Sequence, residues 1–310
     1  MSEKPGVLIV NRSFGALTPV LERAYAVYRL WEGPPVEASA TIRALVTAGE
    51  IPLDPQLLDS LPALGMIACL TAGYEGIDLA DARRRGLKLS YAPGVSQEDV
   101  ADHALGLIIA ARRDIVGGDR RIRAGGWTGP HRVVTQSLGA QRVGIVGLGW
   151  IGQALARRCE ALGMSVGWWG PRPKPDQPWP RAASLLELAH GSDILAICAA
   201  LDHSSRGMID AAVLGALGPK GLLVNVARGG LVDETALIAA LEDGRLAGAA
   251  LDVFEEEPTP VARWRDVPNV VLTPHTGGAT DRSVAGMVAL MMENLNAYFA
   301  SAPLKTPIPI

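Results

Sequence analysis

Arg228, Glu257 and His275 carry the chemistry that most needs explaining in this chain. Each lies just past a short apolar run: Arg228 after LLVNVA, Glu257 in the loop EEEP beyond GAALDVF, and His275 after VVLTP. A guanidinium can hold the carboxylate or carbonyl of a 2-oxo acid bidentately, an imidazolium can hand the carbonyl oxygen a proton, and a carboxylate can keep that imidazole charged. Those are the parts of a hydride-transfer site. Taken singly, each residue also has an ordinary reading: Arg228 capping a turn, Glu255 to Glu257 as a solvated acidic run, His275 as a loop residue after a proline. All three stand where parallel strands end, which is where an open α/β sheet collects its ligands.

A hydride needs a carrier, and the stretch from Gln141 to Pro171 offers a seat for one. Arg142 to Val146 is a β-branched run, Gly147-Leu148-Gly149-Trp150-Ile151-Gly152 follows as G-x-G-x-x-G, and Gln153 to Leu162 has the apolar spacing of a helix. Gly147 suits a tight turn, Gly149 lets backbone approach a pyrophosphate, and Gly152 lets helix and strand pack closely. The anion then meets unpaired N–H groups at a helix N-terminus. A second β-like run, Met164 to Trp169, comes at the right distance for a dinucleotide site. The residue after it sets the preference. NAD(H) sites usually place Asp or Glu there to accept from the ribose 2′-OH, but here stands Gly170, with Arg172 and Lys174 close behind. The two cations also suit a solvated proline-rich turn. The missing acid favours NADP(H), with NAD(H) as the alternative.

With 310 residues, 48% of them hydrophobic and 20% charged, the chain can bury a sizeable core, and its length suits two globular domains. A net charge of −3 leaves no footprint for nucleic acid or an acidic membrane, and Arg83 to Arg85 fit a solvated helix end. Cys69, Cys159 and Cys198 are odd in number, far apart and set among apolar residues, as buried thiols of a reducing compartment are. The start MSEKPGVLIV lacks the apolar run and flanks of a signal peptide, and no stretch of about 18 uncharged apolar residues occurs. The expectation is a cytoplasmic enzyme acting on a small molecule, without a metal.

The elements that must position these residues alternate between β and α. Gly6 to Val10 predicts a strand, Leu17 to Tyr28 a helix, Ile42 to Val46 and Leu64 to Leu70 strands, and Pro52 to Leu61 a turn and helix between them. After Leu87 to Tyr91 and the turn at Pro93-Gly94, Gln97 to Ile115 predicts one long helix whose start is the natural linker between domains. His103 lies inside it with no partner in view, so it reads as a structural histidine. Arg120 to Gln136 is a polar arm bearing Trp127, which either anchors in a partner or packs on its own subunit. Further strands are expected at 193–199, 221–227, 247–253 and 270–273, and helices at 210–217, 233–243 and 281–300. The expected class is α/β, with two doubly wound parallel-sheet domains.

The chain resembles the D-isomer-specific 2-hydroxyacid dehydrogenases. Four motifs carry the resemblance in family order and spacing: GLGWIG at 147–152, NVARGGLVDE at 225–234, GRLAGAALDVFEEEP at 244–258 and TPHTGGAT at 273–280. Within the family it is most similar to the glyoxylate and hydroxypyruvate reductases, hydroxyphenylpyruvate reductases included. The resemblance implies a Rossmann cofactor domain over 98–287 and a flavodoxin-like substrate domain over 1–97 and 288–310. It implies Arg228 as the substrate-orienting arginine, His275 as general acid/base and Glu257 as its partner. Asp252 would face the nicotinamide, Val226 would line the cofactor groove, and the loop Thr71 to Tyr74 would receive the substrate carboxylate on the N–H groups of Ala72 and Gly73. It further implies a homodimer formed through the cofactor domain, and NADPH-dependent reduction of a small 2-oxo acid to the D-2-hydroxy acid. Three residues depart from the common pattern: Ala200 where many members have proline, Asp102 where many have glutamate, and Gly170 in place of the acid. A corepressor-like sensor of dinucleotide redox state, or a formate- or phosphite-type dehydrogenase, would keep the glycine turn. Arg228, Glu257 and His275 together argue for catalysis on a 2-oxo acid.

Overall fold

Continuous apolar runs, rather than alternating ones, mark most strands of this chain, which is the pattern of parallel strands covered on both faces. The computed structural model describes residues 4–34, 39–130 and 132–310. One unit takes Met1–Ser96 with Asp281–Ile310, the other Gln97–Thr280.

The first unit holds β1 (Gly6–Ile9), β2 (Ala26–Arg29), β3 (Ile42–Thr47), β4 (Met66–Cys69) and β5 (Lys88–Ser90). They pair in parallel in the order β2-β1-β3-β4-β5, the doubly wound order of flavodoxin-like sheets. Met291 and Leu295 of the helix Asp281–Phe299 pack on one face, and Leu58 and Ala82 of two shorter helices on the other.

The second unit holds β6 (Arg142–Val146), β7 (Ser165–Trp169), β8 (Ile194–Ile197), β9 (Leu222–Asn225), β10 (Gly248–Leu251) and β11 (Val270–Leu272), all parallel, in the order β11-β10-β9-β8-β6-β7. A single parallel bridge from Trp168 to Arg181 stands where one more strand would extend the sheet, and with it the order is that of a Rossmann sheet. Ala104 and Ile108 of the helix Gln97–Arg112, with Leu155 and Cys159 of the helix Trp150–Ala161, pack on one face. Leu188, Leu214 and Leu237 cover the other. Asp210 and Asp233 cap their helices by accepting backbone N–H groups, which fixes where each β-to-α connection turns.

Two expected helices are corrected. Residues 17–28 do not form one: Thr18–Leu21 is a single turn and Ala26–Arg29 is the edge strand β2. Its apolar spacing fits either period, and pairing with β1 decides. Gln97 to Ile115 is not one helix either. It stops at Arg112, Asp114 takes the left-handed conformation at φ 49°, and Ile115–Arg123 starts a second helix, so the expected arm begins helical. Residue 131 of that arm lies outside the described residues. Trp127 is 66% exposed. The return to the first unit falls at Asp281 rather than 288, because Asp281–Phe299 is one unbroken helix. Cys69 and Cys159 are buried, and burial pushes all three thiols up to about 12. Among the described residues no helix is long and apolar enough to cross a membrane.

A Cβ on Gly152 would lie 2.3 Å from the carbonyl oxygen of Gly147 and 3.1 Å from Ile145, so the helix leans directly on the turn before it. Gly152→Ala is expected to lower stability by about 1–3 kcal/mol, the usual range for overpacking. Urea unfolding checks this; an unchanged midpoint would remove the packing role.

Candidate active site

The glycine turn joins β6 to the helix Trp150–Ala161. Gly147 has φ 91°, and a Cβ there would lie 2.6 Å from Ala199 Cα, so only glycine fits. Gly149 is different: a Cβ would meet nothing within 4 Å, and no side chain caps the helix that begins beside it. Close packing at 147 and 152 with open space at 149 is the shape a pyrophosphate needs against helical N–H groups. Leu148 is buried, Trp150 is 59% exposed, Ile151 is half-buried, and Val226 is buried just past β9. These residues fit a dinucleotide.

Gly170 is buried directly after β7. Its carbonyl oxygen accepts from Arg181 Nε at 3.2 Å and Nη2 at 2.7 Å, and the same guanidinium lies 5.7 Å from the Trp168 ring centre. Arg172 is exposed and Lys174 half-buried, and neither side chain makes a hydrogen bond or ion pair with the described residues. Both are therefore available to an anion. Arg181 escaped the sequence reading because it stands 11 residues beyond Gly170 and arrives only through the bridge to Trp168.

The C-terminal ends of β9, β10 and β11 gather the other residues. Arg228 follows β9 and donates through Nη1 to the Ala227 carbonyl at 2.7 Å. Glu257 turns back on its own loop: Oε1 accepts from Phe254 N–H at 2.9 Å, and Oε2 lies 2.6 Å from His275 Nδ1. His275 has φ 53°, a left-handed turn residue. Its N–H donates to the Asp252 carbonyl at 2.8 Å, and the Asp252 carboxylate accepts from Thr276 N at 2.9 Å and Gly277 N at 2.8 Å. Thr273 Oγ1 donates to the same carboxylate at 2.6 Å. His103 Nε2 lies 2.9 Å from that hydroxyl and 3.2 Å from Asp252 Oδ1, which gives it the partners a structural histidine needs. Asp252 is only 2% exposed, and its oxygens are taken up by this turn.

The electrostatics follow from these contacts. The hydrogen bond to Glu257 raises the His275 pKa above 6.5 against the effect of burial; the charges of Glu257 and Asp252 add to the rise and that of Arg228 opposes it. Burial pushes Glu257 up, but His275 and Phe254 N–H outweigh it and hold it below the usual carboxylate value. Burial likewise opposes ionisation of Asp252, and its four donors overcome that. With Nδ1 engaged, Nε2 is the nitrogen left for a substrate, and the imidazole is 37% exposed. The arrangement favours the protonated form of His275 and leaves Nε2 free of Glu257.

Ala72 and Gly73 belong to the first unit, on the loop after β4. Thr71 fixes that loop, donating to Glu50 Oε2 at 2.6 Å and accepting from Gly49 N at 3.0 Å. Among the described residues no group of three His, Cys, Asp or Glu is placed to hold a metal ion.

Comparison with known proteins adds to this geometry. The chain is 37% identical over 311 residues to glyoxylate/hydroxypyruvate reductase A of Arabidopsis thaliana and to the hydroxyphenylpyruvate reductase of Plectranthus scutellarioides, covering 99% of both chains in each case. Among solved structures, the 2-hydroxyacid dehydrogenase from Ketogulonicigenium vulgare Y25 matches with a TM-score of 0.92 at 36% identity over 99% of each chain. An NADPH-dependent glyoxylate/hydroxypyruvate reductase from Sinorhizobium meliloti, solved with NADP and malonate, matches with a TM-score of 0.91 at 33% identity over 99% of this chain and 97% of that one. Residues 105–277 match the family described as D-isomer specific 2-hydroxyacid dehydrogenase, NAD binding domain. The chain therefore belongs to the D-isomer specific 2-hydroxyacid dehydrogenases, enzymes that use a nicotinamide dinucleotide.

Proposed function

We propose that this protein reduces a small 2-oxo acid, of the glyoxylate, hydroxypyruvate or aryl pyruvate kind, to the D-2-hydroxy acid with NADPH. The observation that carries the reading is the 2.6 Å contact between His275 Nδ1 and Glu257 beside Arg228, which favours the charged imidazole next to a guanidinium. When bound, the nicotinamide supplies the hydride to the 2-carbon. Arg228 holds the acid in line, the N–H groups of Ala72 and Gly73 receive its carboxylate, and His275 Nε2 gives the carbonyl oxygen its proton. A redox sensor has no use for a charged imidazole, and oxidation of formate or phosphite offers no carbonyl oxygen to protonate. The relatives' names support the same substrate class.

His275 must be protonated to act in reduction. Because its pKa is raised above 6.5, kcat/KM is full at lower pH and falls as pH climbs through the raised value. Glu257→Gln is expected to move that alkaline limb to lower pH. His275→Ala should lower kcat by about 10²- to 10⁴-fold while coenzyme affinity holds. A near-native kcat in the alanine variant would remove His275 from the chemistry.

The NADPH preference rests on Gly170, Arg172 and Lys174, together with the S. meliloti relative's NADPH dependence. A 2′-phosphate beside Gly170 meets no carboxylate, and Arg172 can offer it a fork of donors. One charge-assisted contact is worth about 1.5–3 kcal/mol, or roughly ten- to a hundredfold in affinity. NADPH should exceed NADH in kcat/KM by about that factor. Arg172→Ala is expected to remove most of the preference and leave NADH kinetics nearly unchanged, with Lys174→Ala milder. Equal use of both coenzymes by the wild type would return Arg172 to a solvated turn.

A homodimer joined through the second unit fits the apolar surface there. Ile115, Ile122, Trp127, Val133 and Val134 are 53–95% exposed, beside a groove of about 820 Å³ running along β11 and Trp264. Patches of this kind on a folded protein mark interfaces. Light scattering should give twice the chain mass at micromolar concentration, and Trp127→Asp together with Val134→Asp should reduce it. A monomeric wild type would overturn the dimer.

A further inference from the structure

One buried charge in the second unit lies outside the machinery described so far. Glu234 is the first residue of the helix Glu234–Glu242 and is only 3% exposed. An acid at that position ordinarily sits in water and favours the helix dipole. Here the capping is done by Asp233, which accepts Ala236 N–H at 2.9 Å. Taking a carboxylate out of water is expensive, so its two oxygens need strong partners. Both partners belong to the Glu257 loop and the segment after it: Glu255 N–H donates to Oε1 at 2.6 Å, and Arg263 Nε donates to Oε2 at 2.6 Å.

The anchored backbone is the one that aims Glu257. Phe254, next to Glu255, supplies the N–H that holds Glu257 Oε1, while Oε2 of the same carboxylate reaches His275. The other side of that backbone is closed by Gly229, beside Arg228: a Cβ there would lie 1.8 Å from Phe254 C and 2.3 Å from Glu255 N. The start of the helix, the turn that carries Arg228 and the loop that carries Glu257 are thus pinned at one place. We propose that Glu234 is a positioning residue for the reduction, holding the 254–255 backbone so that Glu257 stays aimed at His275 in fixed register with Arg228. This rests on the reading of His275 as proton donor.

The test reads the alkaline limb of kcat/KM for glyoxylate reduction with NADPH, together with NADPH affinity by titration as a check on folding. His275 is faced by Glu257, Arg228 and Asp252, and Glu234 by Arg263, whose Nη2 also lies 3.8 Å from the Glu255 carboxylate, so these are the charges in play. Glu234→Ala should bind NADPH as the wild type does, lose about tenfold in kcat, and move the limb down in the direction Glu257→Gln moves it. Glu234→Gln, whose amide oxygen can still accept Glu255 N–H, should recover most of the midpoint. Added to Glu257→Gln, Glu234→Ala should cost nothing further, because both act through one contact. An unmoved limb in a Glu234→Ala protein that binds NADPH, or a loss fully additive with Glu257→Gln, overturns the proposal. Should Glu234→Ala fail to fold, the half-exposed Arg263→Ala decides by the same limb. A limb unmoved by Glu257→Gln itself would overturn the proton-donor reading and this proposal together, whereas one moved by Glu257→Gln alone overturns only the role of Glu234.

Discussion

Asp252 ends the run from β10 with its carboxylate out of water and gives its oxygens to the turn that presents His275. The balance of effects shows why a charge is needed there. A non-glycine residue held left-handed costs about 1–3 kcal/mol, and a buried carboxylate costs several more. Against this stand Thr276 N–H, Gly277 N–H and the Thr273 hydroxyl, each a hydrogen bond to a charged group worth about 1.5–3 kcal/mol. His103 closes the far side of the cluster, and the Asp252 carbonyl takes the N–H of His275 itself. These bonds fix the backbone turn that carries the imidazole, and the bond to Glu257 orients the ring itself. That orientation puts Nδ1 on Glu257 and leaves Nε2 for a substrate.

The same logic of strand ends separates tasks along the sheet. β6 ends in the glycine turn, where backbone alone must meet an anion and side chains would obstruct it. β7 ends at Gly170, with no carboxylate at that position and with Arg172 and Lys174 close behind. Past β9 and β10 come Arg228 and Asp252, and past β11 comes His275 with Glu257 against it, the charged groups proposed to meet the substrate. Arg181 does not add a free charge beside Gly170 in the way its position invites, because two of its donors already hold the Gly170 carbonyl. Its effect there is to fix the Gly170 backbone.

Much of this was legible in the sequence because parallel strands buried on both faces read as apolar runs. Arg142–Val146 appears with the expected bounds, and the runs around 194–197, 222–225 and 248–251 fall inside theirs. Residues at strand ends could then be ranked by chemistry, which singled out Arg228, Glu257 and His275. Where burial is one-sided the signal weakens. β2 is a half-buried edge strand, and its spacing imitated a helix until pairing with β1 decided it. The break at Asp114 depends on one left-handed residue that no periodicity announces. Arg181, Glu234 and the partners of His103 were illegible for a different reason. Each acts through a residue 11 or more positions away, brought close only by the fold.

Through Nδ1, Glu257 biases the His275 imidazole toward its charged form. NMR titration of the five histidine rings, with the His275 signal assigned by its loss in His275→Gln, measures this without turnover. A His275 midpoint above 6.5 in the wild type that falls in Glu257→Gln is the expected result. A wild-type midpoint at or below 6.5, unmoved by Glu257→Gln, would contradict it.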